Sequence, residues 1–342
     1  MDQPRRVLVR AVNWLGDAVM TVPALKELRR LLPEARIDLV ARAPVDALFA
    51  HAPYVDRVVR VRRGARALVA LARGELRRER YDLALVLPNS FSSALLPFLA
   101  GVPLRAGYGG RGRALLLNRR ARDRSAGLHQ ARRYLDLLTL TRLSALDYRD
   151  PAYVPAAGLD LSLDLAAIAA DVLARLSIAG RRPLVAMHAG AAFGPAKRWP
   201  PARFGALADA LVRERGASVV LVGGPGEEAL AAEVAKACRT PLTLAVGRTT
   251  VVELVALLAA ADLVVANDSG PMHLAGALGR PLVAIFGSTD PVATGPVGPA
   301  SVVVREPVPC SPCFARDCPL GHLACLEGIA VDRVLSAALA RL

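Results

Sequence analysis

The chain has 342 residues, 54% of them apolar and only 4% aromatic, with 44 Lys/Arg against 30 Asp/Glu. That length predicts two ordinary domains, and the apolar fraction excludes a disordered chain. The charge of +14 is lopsided: residues 1–160 hold 28 basic and 15 acidic side chains, residues 161–342 hold 16 and 15. A basic half joined to a neutral half points to an anionic partner for the first half.

Short β-rich runs alternate with helical periods, which predicts an α/β protein built on parallel sheets. In the first half, strands are expected at 6–11, 36–41, 57–61 and 82–87, with helices near 18–32, 65–80, 90–100 and 128–143. The uncharged stretch from Leu83 to Leu104 is broken by Pro88, Pro97, Gly101 and Pro103 and reads as strand, loop and helix, not as a membrane span. With no apolar leader ahead of Arg5, the chain is expected to be cytoplasmic. Residues 150–158 read as a linker, and the pattern then restarts. Strands are expected at 183–189, 217–222, 242–245, 262–266 and 281–286. Helices are expected at 164–176, 201–215, 227–238, 251–260, 270–279 and 331–341. The divisions are therefore a first domain over 1–155, a second over 156–330 and a C-terminal helix over 331–342. Two doubly wound, Rossmann-like domains facing a central cleft follow, with ligands at the carboxyl ends of strands.

Four turns at expected strand ends carry candidate chemistry. Asn13-Trp14-Leu15-Gly16-Asp17 follows the first strand; Gly16 allows a close approach or a positive φ, and Asp17 is either a helix cap or a general base. His188-Ala189-Gly190 leads through small residues to Lys197 and Arg198, a loop suited to an anion. Lys197 stands out because only three lysines occur, Lys26, Lys197 and Lys236. Asn267-Asp268-Ser269-Gly270-Pro271-Met272-His273 opens a helix with Pro in its first turn, and Asp268 or Ser269 can cap it. Gly223-Gly224-Pro225-Gly226 precedes Glu227 and Glu228, either of which suits ribose hydroxyls. His188 is either a ligand contact or a core histidine.

Basic residues also group in the first half. Arg66, Arg73, Arg77 and Arg80 recur at +7, +4 and +3, which shares one helix face. They are read as either a solvated charged face or a surface for an anion. The C-terminal run Cys310-x2-Cys313-x4-Cys318-x6-Cys325, with His322 nearby, reads either as free thiols or as a structural zinc site.

The turn at Gly16-Asp17, the run Phe193-Gly194-Pro195-Ala196-Lys197-Arg198-Trp199-Pro200 and the run Asn267–His273 resemble, in that order, the bacterial lipopolysaccharide heptosyltransferases, glycosyltransferases of family 9 with the GT-B fold. The resemblance covers nearly the whole chain, and the last two runs are its specific part. It implies an inverting transfer of L-glycero-D-manno-heptose from ADP-heptose to the first heptose of the lipopolysaccharide inner core. The site implied is cytoplasmic, peripheral to the inner face of the membrane. Asp17 is then the catalytic base. Lys197, Asp268, Ser269, Gly270, His273 and Gly190 line the donor site, with Glu227 or Glu228 on the ribose. No cofactor is required on this scheme, because Lys197 and a helix N-terminus carry the leaving charge. Arg66, Arg73, Arg77, Arg80, Arg111, Arg113, Arg119, Arg120 and Asn89 are the candidates for an anionic lipid A/Kdo acceptor. Alternatives are a family 9 transferase with another sugar or acceptor, a sugar-nucleotide epimerase, and a basic nucleic-acid-binding protein. The last is disfavoured by the scarcity of aromatic stacking platforms and of any recognition motif.

Overall fold

A computed structural model describes residues 3–110, 112–121, 127–144, 146–150 and 157–342. Arg111 and most of the expected linker lie outside the described residues. The chain divides into two compact units, residues 1–163 and 164–342.

The first unit runs β1 (Arg6–Arg10), α1 (Leu15–Leu31), β2 (Arg36–Ala41), α2 (Val45–Phe49), β3 (Arg57–Arg60), α3 (Ala65–Leu71), β4 (Leu83–Val86), α4 (Phe91–Leu99), β5 (Leu104–Tyr108), β6 (Arg119–Ala121) and α5 (Gln130–Asp136). The second runs α6 (Leu165–Arg175), β7 (Leu184–His188), α7 (Pro201–Arg215), β8 (Ser218–Leu221), α8 (Glu228–Ala237), β9 (Thr243–Leu244), α9 (Val251–Ala260), β10 (Leu263–Asn267), α10 (Gly270–Ala277), β11 (Leu282–Phe286), α11 (Pro291–Thr294), β12 (Ser301–Arg305), α12 (Ala324–Glu327) and α13 (Val331–Leu339).

Each unit is built on a six-stranded sheet, ordered β3-β2-β1-β4-β5-β6 in the first and β12-β11-β10-β7-β8-β9 in the second. All pairings are parallel. Both orders are the doubly wound 3-2-1-4-5-6 arrangement, so the winding reverses between β1 and β4 and between β7 and β10. These central strands are apolar up to the last residues His188 and Asn267, because helices cover both faces of the sheet: β4, β7, β10 and β11 are buried at every residue.

The helix ends obey local chemistry. Arg29 and Arg30 sit in the last turn of α1, where cations suit the helix dipole. Thr250 and Glu253 form a capping box on α9. Pro201 opens α7, and Gly216 closes it in a left-handed conformation. Asp164 accepts hydrogen bonds from Ala166 N and Ala167 N at the head of α6.

Three departures from the sequence reading have physical causes. β5, β6 and β12 were not expected. β6 has three residues, two of them arginine, and β6 and β12 are sheet edges, where pattern is weakest. The helix expected over 65–80 is α-helical only to Leu71; Ala72–Leu76 form a π-turn, and Arg80 adopts φ +52°. The helix expected over 128–143 tightens into a 3₁₀ segment from Leu137 to Thr141.

Candidate active site

At the carboxyl end of β1, the chain turns into α1 at Trp14, whose side chain is 52% exposed. Trp14 occupies the cap position and supplies no side-chain hydrogen bond. Asp17 is therefore not the cap. It lies in the first turn, half-buried, where the positive end of the helix favours its carboxylate. Gly16 is an ordinary helical residue, so of its two expected uses positive φ is not the one made. Tyr134 on α5 is buried close enough to feel Asp17. Its hydroxyl is pushed well above the ordinary tyrosine range, first by burial and then by that carboxylate.

Arg10, at the last position of β1, is a functional candidate missed in the sequence because it reads as a strand end. It is buried and donates to the carbonyl of Ala11, to Val40 O (3.1 Å) and to Asn13 Oδ1 (2.9 Å). Burial, and then Arg42, lower its pKa to about 10. It holds the Asn13 turn from beneath.

In the second unit, the loops after β7, β8, β10 and β11 supply one connected set of side chains. Lys197 Nζ donates to Asp268 Oδ2 at 2.5 Å, with the lysine side chain 11% and the aspartate 3% exposed. The same oxygen accepts the Thr289 hydroxyl at 2.6 Å, and His273 Nε2 stands 3.8 Å from Asp268 Oδ1. Lys197 also lies over the Phe193 ring, 4.9 Å from its centroid. The loop is registered by Asn267, whose Oδ1 accepts from Trp199 N (3.1 Å) while its Nδ2 donates to Ala189 O (2.7 Å). Trp199 is fully buried, donates to Ile329 O (3.0 Å) and packs edge-on against Phe204.

A second chain of contacts runs through His188, which is buried at the end of β7. Its Nδ1 is 2.9 Å from Ser269 Oγ and its Nε2 is 3.2 Å from Glu227 Oε2. A carboxylate only accepts, so Nε2 carries a proton and donates to Glu227. His188 is thus a relay between two loops rather than a core histidine. Ser269 occupies the cap position of α10 but makes no capping bond there, since its hydroxyl is spent on His188. Neither Ser269 nor Asp268 caps the helix as expected, and among the described residues no side-chain hydrogen bond is recorded to its first N–H groups.

Glu227 and Glu228 separate clearly. Glu227 accepts from Gly224 N (2.8 Å) as well as from His188. Burial raises its pKa, but the hydrogen bond and charge of His188, with the Gly224 N–H and Arg198, outweigh it and hold the carboxyl below its ordinary range. Glu228 folds back onto Gly226 N (2.8 Å), away from this set. Gly190 makes room for Glu227: a Cβ at position 190 would stand 1.8 Å from Glu227 Oε1. Gly190→Ala is therefore expected to displace Glu227 and break its contact with His188, as read in a crystal structure of the variant. An unmoved Glu227 would show that the loop at position 190 yields instead.

The first unit's arginines do not behave as one group. Arg66, Arg73, Arg77 and Arg80 are all exposed, and no hydrogen bond or ion pair is formed by them among the described residues. The acids of that region are already engaged: Glu75 by Arg57, and Glu79 by Arg57 (2.8 Å) and Arg36 (3.2 Å). The π-turn breaks the single α-helical face expected for the four, and Arg80 lies outside the helix. Arg77 and Arg80 instead flank an open hollow of about 410 Å³ with Tyr81 and Gly101. Arg120 is exposed and bonded to Ala114 O (3.1 Å), and Arg119 is half-buried on β6.

Arg113 corrects the sequence reading. It is not a surface cation but is fully buried, donating to Pro88 O (2.5 Å) and reaching the exposed Asn89 Oδ1 (3.4 Å). Burial lowers its pKa to about 10. It shapes the turn after β4, opposite the Asn13 turn across the switch point of the first sheet. The residues overlooked in the sequence were Arg10 and Thr289, and Asn267 was placed in its turn without a role. Thr289 follows β11 in Gly287-Ser288-Thr289, a small-residue strand end of the kind that marked the other loops.

Two Rossmann-type sheets with cationic and carboxylate side chains gathered at their switch points define an α/β enzyme of the GT-B glycosyltransferase type. The profile of glycosyltransferase family 9 (heptosyltransferase) matches residues 69–324. The chain is 36% identical over 311 residues to lipopolysaccharide heptosyltransferase 2 of Escherichia coli K12, covering 88% of each chain. It is 37% identical over 315 residues to lipopolysaccharide heptosyltransferase 2 of Salmonella typhimurium, with the same coverage. The solved structure of E. coli ADP-heptose lps heptosyltransferase II superposes with a TM-score of 0.84 over 98% of both chains, at 32% identity. The chain belongs to glycosyltransferase family 9.

Proposed function

We propose that the chain transfers L-glycero-D-manno-heptose from ADP-heptose to the first heptose of the lipopolysaccharide inner core, heptosyl-Kdo2-lipid A, with inversion at the sugar carbon. What supports this reading is the Lys197–Asp268–Thr289 contact beside the Glu227–His188–Ser269 relay, in a chain over a third identical to relatives named lipopolysaccharide heptosyltransferase 2.

In this mechanism the ADP diphosphate draws Lys197 away from Asp268, which keeps its bond to Thr289. The diphosphate also accepts from the uncapped N–H groups at Ser269-Gly270. Glu227 takes the ribose hydroxyls. An acceptor hydroxyl oxygen forms its bond to the anomeric carbon as the bond from that carbon to the phosphate oxygen breaks. The electron pair leaves with ADP, and the hydroxyl proton goes to the Asp17 carboxylate. The transition state is oxocarbenium-like, so the charge that Lys197 and the helix meet is the charge that grows on the diphosphate.

The acceptor is phosphorylated and lies in an anionic membrane surface. No helix among the described residues is long and apolar enough to cross a membrane, and the reading places the enzyme at the cytoplasmic face as a peripheral protein. Arg66, at the start of α3 just after β3, stands on the carboxyl side of the sheet and meets the acceptor's phosphates and Kdo carboxylates, whereas Arg77 and Arg80 border the hollow before β4 and β5, at the amino ends of the strands, and face the anionic membrane surface instead. Arg66→Glu is expected to raise the acceptor KM at least tenfold and leave the donor KM alone; an unchanged acceptor KM would remove Arg66 from the acceptor. The activity itself is tested by supplying ADP-heptose and purified mono-heptosylated acceptor, then determining product linkage. Transfer from a different nucleotide sugar, with none from ADP-heptose, would overturn the reading.

A further inference from the structure

Residues 306–323, between β12 and α12, form neither helix nor strand. An irregular segment of that length needs something to order it. Cys310, Cys313, Cys318 and Cys325 come together here, lining one small cavity of about 20 Å³ with Ala196 and Ser288. That volume suits a single water-sized or ion-sized occupant. Cys325 is buried, and the other three sulfurs all lie close enough to act on it electrostatically. The segment turns back on itself at Cys318, whose carbonyl accepts from Gly321 N (3.1 Å). His322 Nδ1 is spent on Ala324 N (2.9 Å), at the start of α12.

We propose that Cys310, Cys313, Cys318 and Cys325 hold one thiophilic metal ion, zinc or iron, in tetrahedral coordination. Among the described residues no three candidate ligands already stand as a closed set. Binding therefore turns the sulfurs about χ1 toward the shared cavity, to metal–sulfur bonds of about 2.3 Å. Four thiols release their protons to solvent and bind as thiolates as the ion enters, and no oxidation is involved.

The ion has a consequence for the loops described above, which rests on their reading as the donor site. The same segment braces them: Arg316 O accepts from Ala196 N (3.0 Å), Phe314 N donates to Ser288 O (2.7 Å), and the Ser311 hydroxyl donates to Gly287 O (2.7 Å). The Arg316 guanidinium lies over the Phe193 ring, opposite Lys197 in sequence but on the same aromatic partner. Approach is so close that a Cβ on Gly194 would stand 2.4 Å from Arg316 O. The metal thus positions Lys197 and Thr289 without touching substrate.

The test uses the full chain, purified under reducing, chelator-free conditions from cells supplied with zinc and iron. One equivalent of zinc or iron per chain is expected by elemental analysis. Replacement by cobalt(II) should give sulfur-to-cobalt charge-transfer absorption with intense tetrahedral bands. Cys318→Ser and Cys325→Ser should each lower retained metal at least tenfold, while Cys238→Ser, at a thiol bonded to Gly205 O on α7, should keep one equivalent. Less than a tenth of an equivalent of metal with four reactive thiols, or with disulfides, overturns the site. So does wild-type protein that binds cobalt(II) without charge-transfer bands, a result independent of whether the variants fold. Metal removal should raise the Kd for ADP about tenfold. Metal retained with ADP affinity indifferent to it would overturn the bracing role, and neither result depends on which sugar is transferred.

Discussion

Asp17→Asn is expected to lower kcat for heptose transfer by about 10²–10⁴-fold, the range typical for loss of a positioned general base. The amide keeps the shape of the carboxylate, so the turn after β1, held by Arg10 and Asn13, stays in place. ADP affinity should change less than threefold, because the nucleotide is assigned to the second unit. Steady-state rates at saturating donor and acceptor, with ADP binding by calorimetry, separate these effects. A variant within tenfold of wild-type kcat would remove Asp17 as the base. The physical basis is its position: half-buried in the first turn of α1, at the carboxyl end of β1.

Lys197→Ala should have the next largest effect, lowering kcat/KM for the donor by about 10²–10³-fold, as loss of a preorganised group facing developing charge does. It also strands Asp268, which is 3% exposed, and an uncompensated buried charge costs about 3–5 kcal/mol. The two effects can be divided. Lys197→Met combined with Asp268→Asn removes both charges from the contact and is expected to recover most of the lost Tm. Donor kcat/KM should stay low in the double variant, because no cation remains for the diphosphate. Recovery of activity along with stability would mean that Lys197 serves only to neutralise Asp268.

Much of the fold was legible in the sequence because its central strands are largely apolar runs with polar residues only at their ends. β4, β7, β10 and β11 are buried at every residue and β1 at all but its first, so their composition is dictated locally. Pro201 and Gly216 bracket α7 in the same readable way. The edges were not legible. β6 and β12 bury little, and the π-turn at Ala72–Leu76 adds a residue to one turn, which sequence periodicity does not reveal.

The sequence by itself determined two restarting α/β units, the strand-end loops that carry Asp17, Gly190, Lys197, Glu227 and Ser269, and the family these runs resemble. Each is a local property of residue type and spacing along a few turns of chain. Only the tertiary structure decided how those loops are wired. Lys197 meets Asp268 across 71 residues, and His188 meets Ser269 across 81 and Glu227 across 39. Arg113 looked like any other surface arginine until the glycine at 107 and the Pro88 carbonyl buried it. Which of the adjacent carboxylates Glu227 and Glu228 joins the set around Ser269 was likewise decided by a distant histidine, His188. Such pairings depend on which strands become neighbours in the sheet, and no short-range pattern encodes that.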